Sequence, residues 1–166
     1  MPHVLIAADA EWLIDYVRSA LEGPDTTFAI CRTGQAVTVA ATQQAPDLAI
    51  LDLQIGNMGG MAVCITLRLD ESGGRLPHIR VLMLLDRVAD LFLARRAEAE
   101  GWLIKPLDSL RLRRAATTIM GGGTIYEGLP ADTPAVPPAD TPADTPAVPR
   151  ADAEAESPRG DEVPAG

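Results

Sequence analysis

Three side chains stand where chemistry is possible: Asp9, Asp52 and Lys105. Each lies at or just past the end of a short apolar run of the kind that makes a buried parallel strand: HVLIAA before Asp9, DLAILD ending on Asp52, and GWLI before Lys105. A small set of carboxylates suits Mg²⁺, which takes hard oxygen donors and keeps several of its waters. A carboxylate, a divalent cation and a fixed ammonium are what phosphoryl transfer to an aspartate requires. The carboxylate attacks, and the cations neutralise the phosphoryl oxygens. Composition singles out Lys105, because the 14 basic residues are 13 arginines and this one lysine. Such a position calls for a compact point charge rather than a guanidinium fork.

The elements that must position these residues follow from the pattern around them. Strands are expected at residues 3–8, 27–31, 47–52, 79–84 and 101–104. Helices are expected at 10–22, 34–44, 61–70, 87–99 and 108–120. Gly23-Pro24 and Pro46 stop the first two helices, and Asp108 or Ser109 caps the last. Five β/α units in this spacing imply an α/β fold, a doubly wound five-stranded parallel sheet with right-handed crossovers. In such sheets chemistry sits at the carboxyl ends of the strands. Those ends offer Ala8 and Asp9, then Asp52, then Met83 and Leu84, then Lys105.

Composition divides the chain. Residues 130–166 hold nine prolines and eight acids against two arginines, and ADTPAVP occurs there twice. Such a segment cannot bury enough apolar surface to order itself, so a disordered acidic tail is expected, serving as a spacer or solubilising segment, with a docking segment for a basic or aromatic groove the alternative that its lack of an aromatic anchor weakens. No run of about 20 apolar residues spans a membrane, and the N-terminus lacks the charged region of a signal peptide. Cys31 and Cys64 lie in apolar segments without CxxC spacing, which suggests reduced, buried thiols and a cytoplasmic setting, or one peripheral to a membrane complex through a protein partner. The acidic balance argues against nucleic-acid binding. His3 and His78 have no partner at ligand spacing, and Gly121-Gly122-Gly123 follows no strand and precedes no GK[ST], so neither marks a site.

DLAILDLQIGNMGG (47–60) resembles the phospho-acceptor segment of response-regulator receiver domains, and AEAEGWLIKPLD (97–108) resembles their Lys-Pro segment. The two motifs occur in the family's order within five β/α units, over about residues 3–120. The resemblance implies a flavodoxin-like sheet of strand order 2-1-3-4-5, with residues 1–123 as the receiver-like domain and 124–166 as linker and tail. It implies that Asp52 is the phosphorylated aspartate and that Lys105 pairs with the phosphoryl group. Asp9, Asp52 and the backbone carbonyl of Gln54 would hold Mg²⁺. Gly60 would be the loop glycine, Pro106 would follow a cis bond, and Trp102 would be the switch aromatic.

The departures from the family pattern are as informative. Ala8 replaces the first acid of the pair, which weakens any Mg²⁺ site. Gly56 stands where proline is usual. Counting back from Lys105 without a gap, Met83 takes the place of the hydroxyl residue at the end of the fourth strand, and methionine cannot donate a hydrogen bond. An atypical receiver, or pseudo-receiver, is therefore expected. The segment GGGTIYEGL (121–129) resembles the linker of regulators that carry a DNA-binding module, yet no such module follows, so direct transcription control is not expected.

Action would then come through protein contacts on the face made by the fourth helix, fifth strand and fifth helix. Residues 84–94, LLDRVADLFLA, are unusually apolar for a surface helix. Leu85, Val88, Leu91 and Phe92 would form a binding patch there, rimmed by Arg95, Arg96, Arg111 and Arg114. The favoured expectation is a phosphorylation-independent, single-domain adaptor. The alternative is a receiver that accepts phosphate on Asp52 from a histidine kinase. A third reading, an enzyme on a flavodoxin-like scaffold, has only the carboxylates to motivate it, and no enzyme is expected. The partner classes implied are a histidine kinase, a phosphotransfer protein or a large enzyme assembly such as a respiratory NADH dehydrogenase complex, the last by analogy alone.

Overall fold

The structure, a computed structural model, describes residues 1–128. The expected acidic tail lies outside the described residues. Strands β1 (His3–Ala7), β2 (Thr27–Cys31), β3 (Leu48–Asp52), β4 (Arg80–Leu85), β5 (Gly101–Ile104) and β6 (Ile125–Tyr126) form one sheet in the order β2-β1-β3-β4-β5-β6, all parallel. The helices are α1 (Glu11–Leu21), α2 (Gly34–Gln43), α3 (Gly60–Ser72), α4 (Leu91–Arg96) and α5 (Ser109–Met120). The expected order 2-1-3-4-5 is present, extended by one short strand. That strand comes from the stretch after residue 123, which the resemblance had assigned to a linker.

Strand residues alternate between two cores, as a pleated sheet dictates. Leu5, Ala49, Leu51, Val81 and Met83 pack with Val37 of α2, Val63, Cys64 and Leu67 of α3, and Leu91 and Ala94 of α4. Val4, Ile6, Leu48, Ile50, Leu82 and Leu84 pack with Leu13, Ile14 and Val17 of α1 and Leu112, Ala115 and Ile119 of α5. Burial on both faces explains why these strands read as unbroken apolar runs rather than as alternating ones. Asp108 caps α5, its side chain accepting from the amides of Leu110 and Arg111 at 3.0 Å each.

The helix expected at 87–99 is much shorter. A 3-10 turn, Val88–Asp90, leads into the six-residue α4. Asp90 is buried and accepts from the Arg87 amide at 3.2 Å, which holds the turn. Glu98 then adopts φ 57°, ending the helix so that the chain can enter β5.

A polar clamp ties the opposite, amino-terminal edge of the sheet. Arg68 of α3 donates to the carbonyls of Ile79 at 2.9 Å and Glu98 at 3.1 Å, and to both carboxylate oxygens of Glu100 at 2.8 Å. Glu100 in turn accepts from the Val81 amide at 2.6 Å. One bidentate arginine thus joins α3 to the beginnings of β4 and β5.

Both cysteines are free and buried, as expected. Burial raises the Cys31 thiol pKa and, helped by Glu100 and Glu98 against the opposing pull of Arg68, raises that of Cys64 to about 12. Thiolate is the reactive form. Native chain at pH 8 should therefore show no fast-reacting thiol towards a disulfide dye, and both should react once urea unfolds it.

Gly101 is required by its neighbour. A Cβ there would lie 2.6 Å from the Ile125 carbonyl oxygen and 2.7 Å from Ile119 Cδ1. Gly101→Ala should destabilise the fold by about 1–3 kcal/mol in urea unfolding, the range for overpacking a well-filled site.

Candidate functional site

The register of the central strands brings the candidate residues together. Asp52 is the last residue of β3, paired with Leu84 of β4. β4 continues to Leu85, whose carbonyl accepts from the Lys105 amide at 2.8 Å. Lys105 follows β5 directly, and the Lys105–Pro106 bond is cis, as the resemblance implied. Three strand ends therefore meet around one ammonium.

Lys105 Nζ donates to Asp52 Oδ1 at 2.6 Å and to Asp86 Oδ1 at 3.0 Å. Asp52 is only 3% exposed, and its Oδ1 also lies 3.5 Å from the Gln54 amide. Partial burial pulls the Lys105 pKa down. The hydrogen bonds and negative charge of Asp52 and Asp86 outweigh it, leaving lysine above its ordinary value. A raised lysine pKa means the ion pair's stabilisation is complete below the unfolded value and fades only as pH climbs through the folded one. The pair is therefore intact throughout the neutral range.

Asp86 was not foreseen. It sits immediately past β4, so the same strand-end pattern that marks Asp9 and Asp52 was present in the sequence. The expected strand, 79–84, stopped one residue short of β4 and hid it. The Asp86 Oδ2 is buried and has no hydrogen-bond partner among the described residues.

The strand-end position expected at Met83 belongs to Leu85. Met83 is mid-strand, paired with Leu51 and Trp102 and buried in the core. The gapless count failed because β4 ends at Leu85, two residues past Met83. Neither side chain carries a hydroxyl, so the missing donor stays missing.

Ala8 is buried in the α1/α5 core, so the absent acid has become packing. Asp9 is exposed, and its Oδ2 leans towards the β3–α3 loop, 3.6 Å from where a Gly56 Cβ would stand. Gly60 lets that loop close on Asp52, since a Cβ would meet the Asp52 carbonyl oxygen at 2.4 Å. Hard oxygens from Asp9 and Asp52, with Gln54 on the same loop, match the donor chemistry Mg²⁺ takes. Among the described residues, however, no group of three or more His, Cys, Asp or Glu side chains converges for a metal. A divalent cation held there would neutralise negative charge on phosphoryl oxygens.

The chain matches the family model described as response regulator receiver domain over residues 4–117. It belongs to the response-regulator receiver family. Among curated relatives, the DNA-binding dual master transcriptional regulator RpaA of Synechocystis sp. is 35% identical over 111 residues, covering 65% of this chain and 44% of that protein. The DNA-binding response regulator MtrA of Mycobacterium tuberculosis is 28% identical over 103 residues, 62% of this chain and 43% of that one. The chain thus spans less than half the length of these relatives. A response regulator from Chloroflexus aurantiacus superposes with TM-score 0.66 at 20% identity, over 72% of this chain and 98% of that one. The signal receiver domain of a histidine kinase from Syntrophus aciditrophicus gives TM-score 0.66 at 21% identity, over 82% and 100%. No helix among the described residues is long and apolar enough to cross a membrane.

On this receiver the expected partner patch is smaller than its composition suggested. Leu85 and Leu91 are buried in the core and cannot face a partner. Val88, Phe92 and Leu93 are exposed by 63%, 67% and 48%. Arg96 and Arg114 are exposed and Arg95 half-buried, whereas Arg111 is engaged by Glu127 and by the Pro106 carbonyl. Arg113 donates to the Ala20 carbonyl at 3.0 Å, away from the patch.

Trp102 is the largest fully buried side chain. Its indole N–H donates to the Glu127 carbonyl at 2.9 Å, and Tyr126 lies 4.4 Å away, ring to ring, tilted by 33°. Sequence reasoning missed this cover, because two-residue strands carry almost no periodic signal.

Removing the ammonium leaves a buried carboxylate unpaired. Lys105→Met should lower stability by about 2 kcal/mol or more. Adding Asp52→Asn should restore most of the loss in the double variant, measured by urea unfolding.

Proposed function

We propose that this receiver acts through protein contacts on the face built by α4, β5 and α5, without a hydroxyl-and-aromatic switch. The observation that carries this is the state of Trp102. The side chain at the switch position is buried, hydrogen-bonded to Glu127 and covered by Tyr126. Swinging it out would break that bond and empty a tryptophan-sized space, a cost of about 3–5 kcal/mol. Leu85, at the end of β4, offers no hydroxyl to draw it towards a phosphoryl group. A binding surface formed by Val88, Phe92 and Leu93 needs no such movement, and Arg96 and Arg114 favour an acidic partner.

A second reading rests on the 2.6 Å contact between Lys105 and Asp52. Asp52 would attack the phosphorus of a phosphohistidine, the bond to the imidazole would break, and Lys105 would move from the carboxylate to the new phosphoryl oxygens. Receiver domains interact with histidine kinases, and the family is typically one of non-enzymatic signalling.

The two readings separate by affinity capture from native lysate with three baits. Asp52→Asn should retain the partners of the wild-type chain, and Phe92→Asp should lose them, with at least about a tenfold fall in affinity for one desolvated aromatic anchor. The opposite pattern, together with a Mg²⁺-dependent mass increase on incubation with acetyl phosphate, would establish the second reading instead.

A further inference from the structure

The outer edge of β5 is covered by the chain's own residues 125–127. β6 pairs with β5 through only two residues, Ile125 opposite Gly101 and Tyr126 opposite Trp102. The contacts around that pairing are dense. The Trp102 carbonyl accepts from the Glu127 amide at 3.3 Å. Glu127 Oε2 accepts from the Ile104 amide at 2.7 Å, and Oε1 pairs with Arg111 of α5. Tyr126 packs on Trp102, and a Cβ at Gly128 would lie 3.2 Å from Leu91 and 3.3 Å from Ile104. Gly101 completes the site, since any side chain there would collide with the incoming backbone.

The holding segment is short, and it follows Gly121-Gly122-Gly123, of which Gly122 has φ 87°. The glycine amides close the last turn of α5 on the carbonyls of Thr117, Ile119 and Thr118, so beyond them the segment is held by a two-residue strand, which gives little cooperativity to resist release. Once released, the edge would present an unpaired Ile104 amide, a free Trp102 indole N–H and the Nη2 of Arg111, whose Nη1 stays on the Pro106 carbonyl. Each is a donor, and together they select a carboxylate beside an aromatic ring.

We infer that the β5 edge recognises a partner strand running parallel to β5 that carries an aromatic residue followed by glutamate, and that residues 124–128 occupy this site in its absence. The mode is strand addition, with backbone bonds giving affinity and the Trp102/Arg111 pair giving specificity. The inference rests on the proposed function and narrows it to one edge of the same face.

The test uses the full chain carrying Trp12→Phe, so that Trp102 is the sole tryptophan. Tyr126→Ala with Glu127→Ala weakens the internal occupant, and Trp102 emission should shift to the red. The synthetic peptide GTIYEGL should reverse that shift with one-to-one saturation. Exchanging its glutamate for alanine, or adding Arg111→Gln to the protein, should weaken binding by about tenfold, the scale of one charge-assisted hydrogen bond. Failure of the peptide to bind a released variant that keeps its circular dichroism would overturn the inference. Should that variant unfold, hydrogen exchange on the wild-type chain decides. The Trp102 indole and Ile104 amide must exchange at least about a hundredfold faster than the amides of Ile50 and Leu82, by local opening. Exchange at the core rate would make β6 a permanent strand and sink the idea. Peptide failure alongside Phe92→Asp losing its partners would discard this inference while leaving the proposed function in place.

Discussion

One ammonium between two carboxylates organises the active edge of this receiver. β3, β4 and β5 each end by delivering one polar residue into the same small volume: Asp52, Asp86 and Lys105. The arrangement constrains more than the side chains. Lys105 reaches Asp52 only because its own amide is fixed on the Leu85 carbonyl, and Asp86 faces the ammonium because β4 runs out one residue earlier. Two negative charges against one positive leave the cluster anionic, and Asp9 adds to it. Such a pocket draws cations and resists a phosphoryl group until its charge is offset.

Beside this polar edge, two positions at which the family pattern expects polar side chains have been absorbed into the core. Ala8 joins the α1/α5 core, and Leu85 joins the core under α4. At each position a side chain that packs stands where the resemblance implied one that hydrogen-bonds. The burial of Trp102 beneath Tyr126 fits the same trend.

Much of this was legible in the residues themselves. The buried strands announced themselves as continuous apolar runs, and Asp9, Asp52 and Lys105 stood out because each lay at or just past the end of one. Helix boundaries held within a residue or two wherever Gly, Pro or a cap marked them, as at Asp108. The failures have physical causes. The stretch 87–99 is apolar enough to read as a full helix, but Asp90 and Glu98 clip it from both ends. Leu91 looked exposed because a linear pattern cannot say which side of a one-and-a-half-turn helix meets the sheet. β6 depends on Gly101, Arg111 and Trp102, all distant in sequence, so nothing local signalled it.

Arg68 gives the molecule a mechanical asymmetry. It rivets α3 to the beginnings of β4 and β5 and to the Glu98 carbonyl just beyond α4. α4, a helix of roughly 9 Å at the rise of 1.5 Å per residue, therefore has the chain just past its carboxyl end tied to the amino-terminal edge of the sheet. Its amino end follows the Val88–Asp90 turn and is seated in the core by Leu91 and Ala94. The helix that presents Phe92 is thus held on both sides, by the Arg68 bond to Glu98 and by the Asp90 turn, so the surface it offers is already in place before a partner arrives.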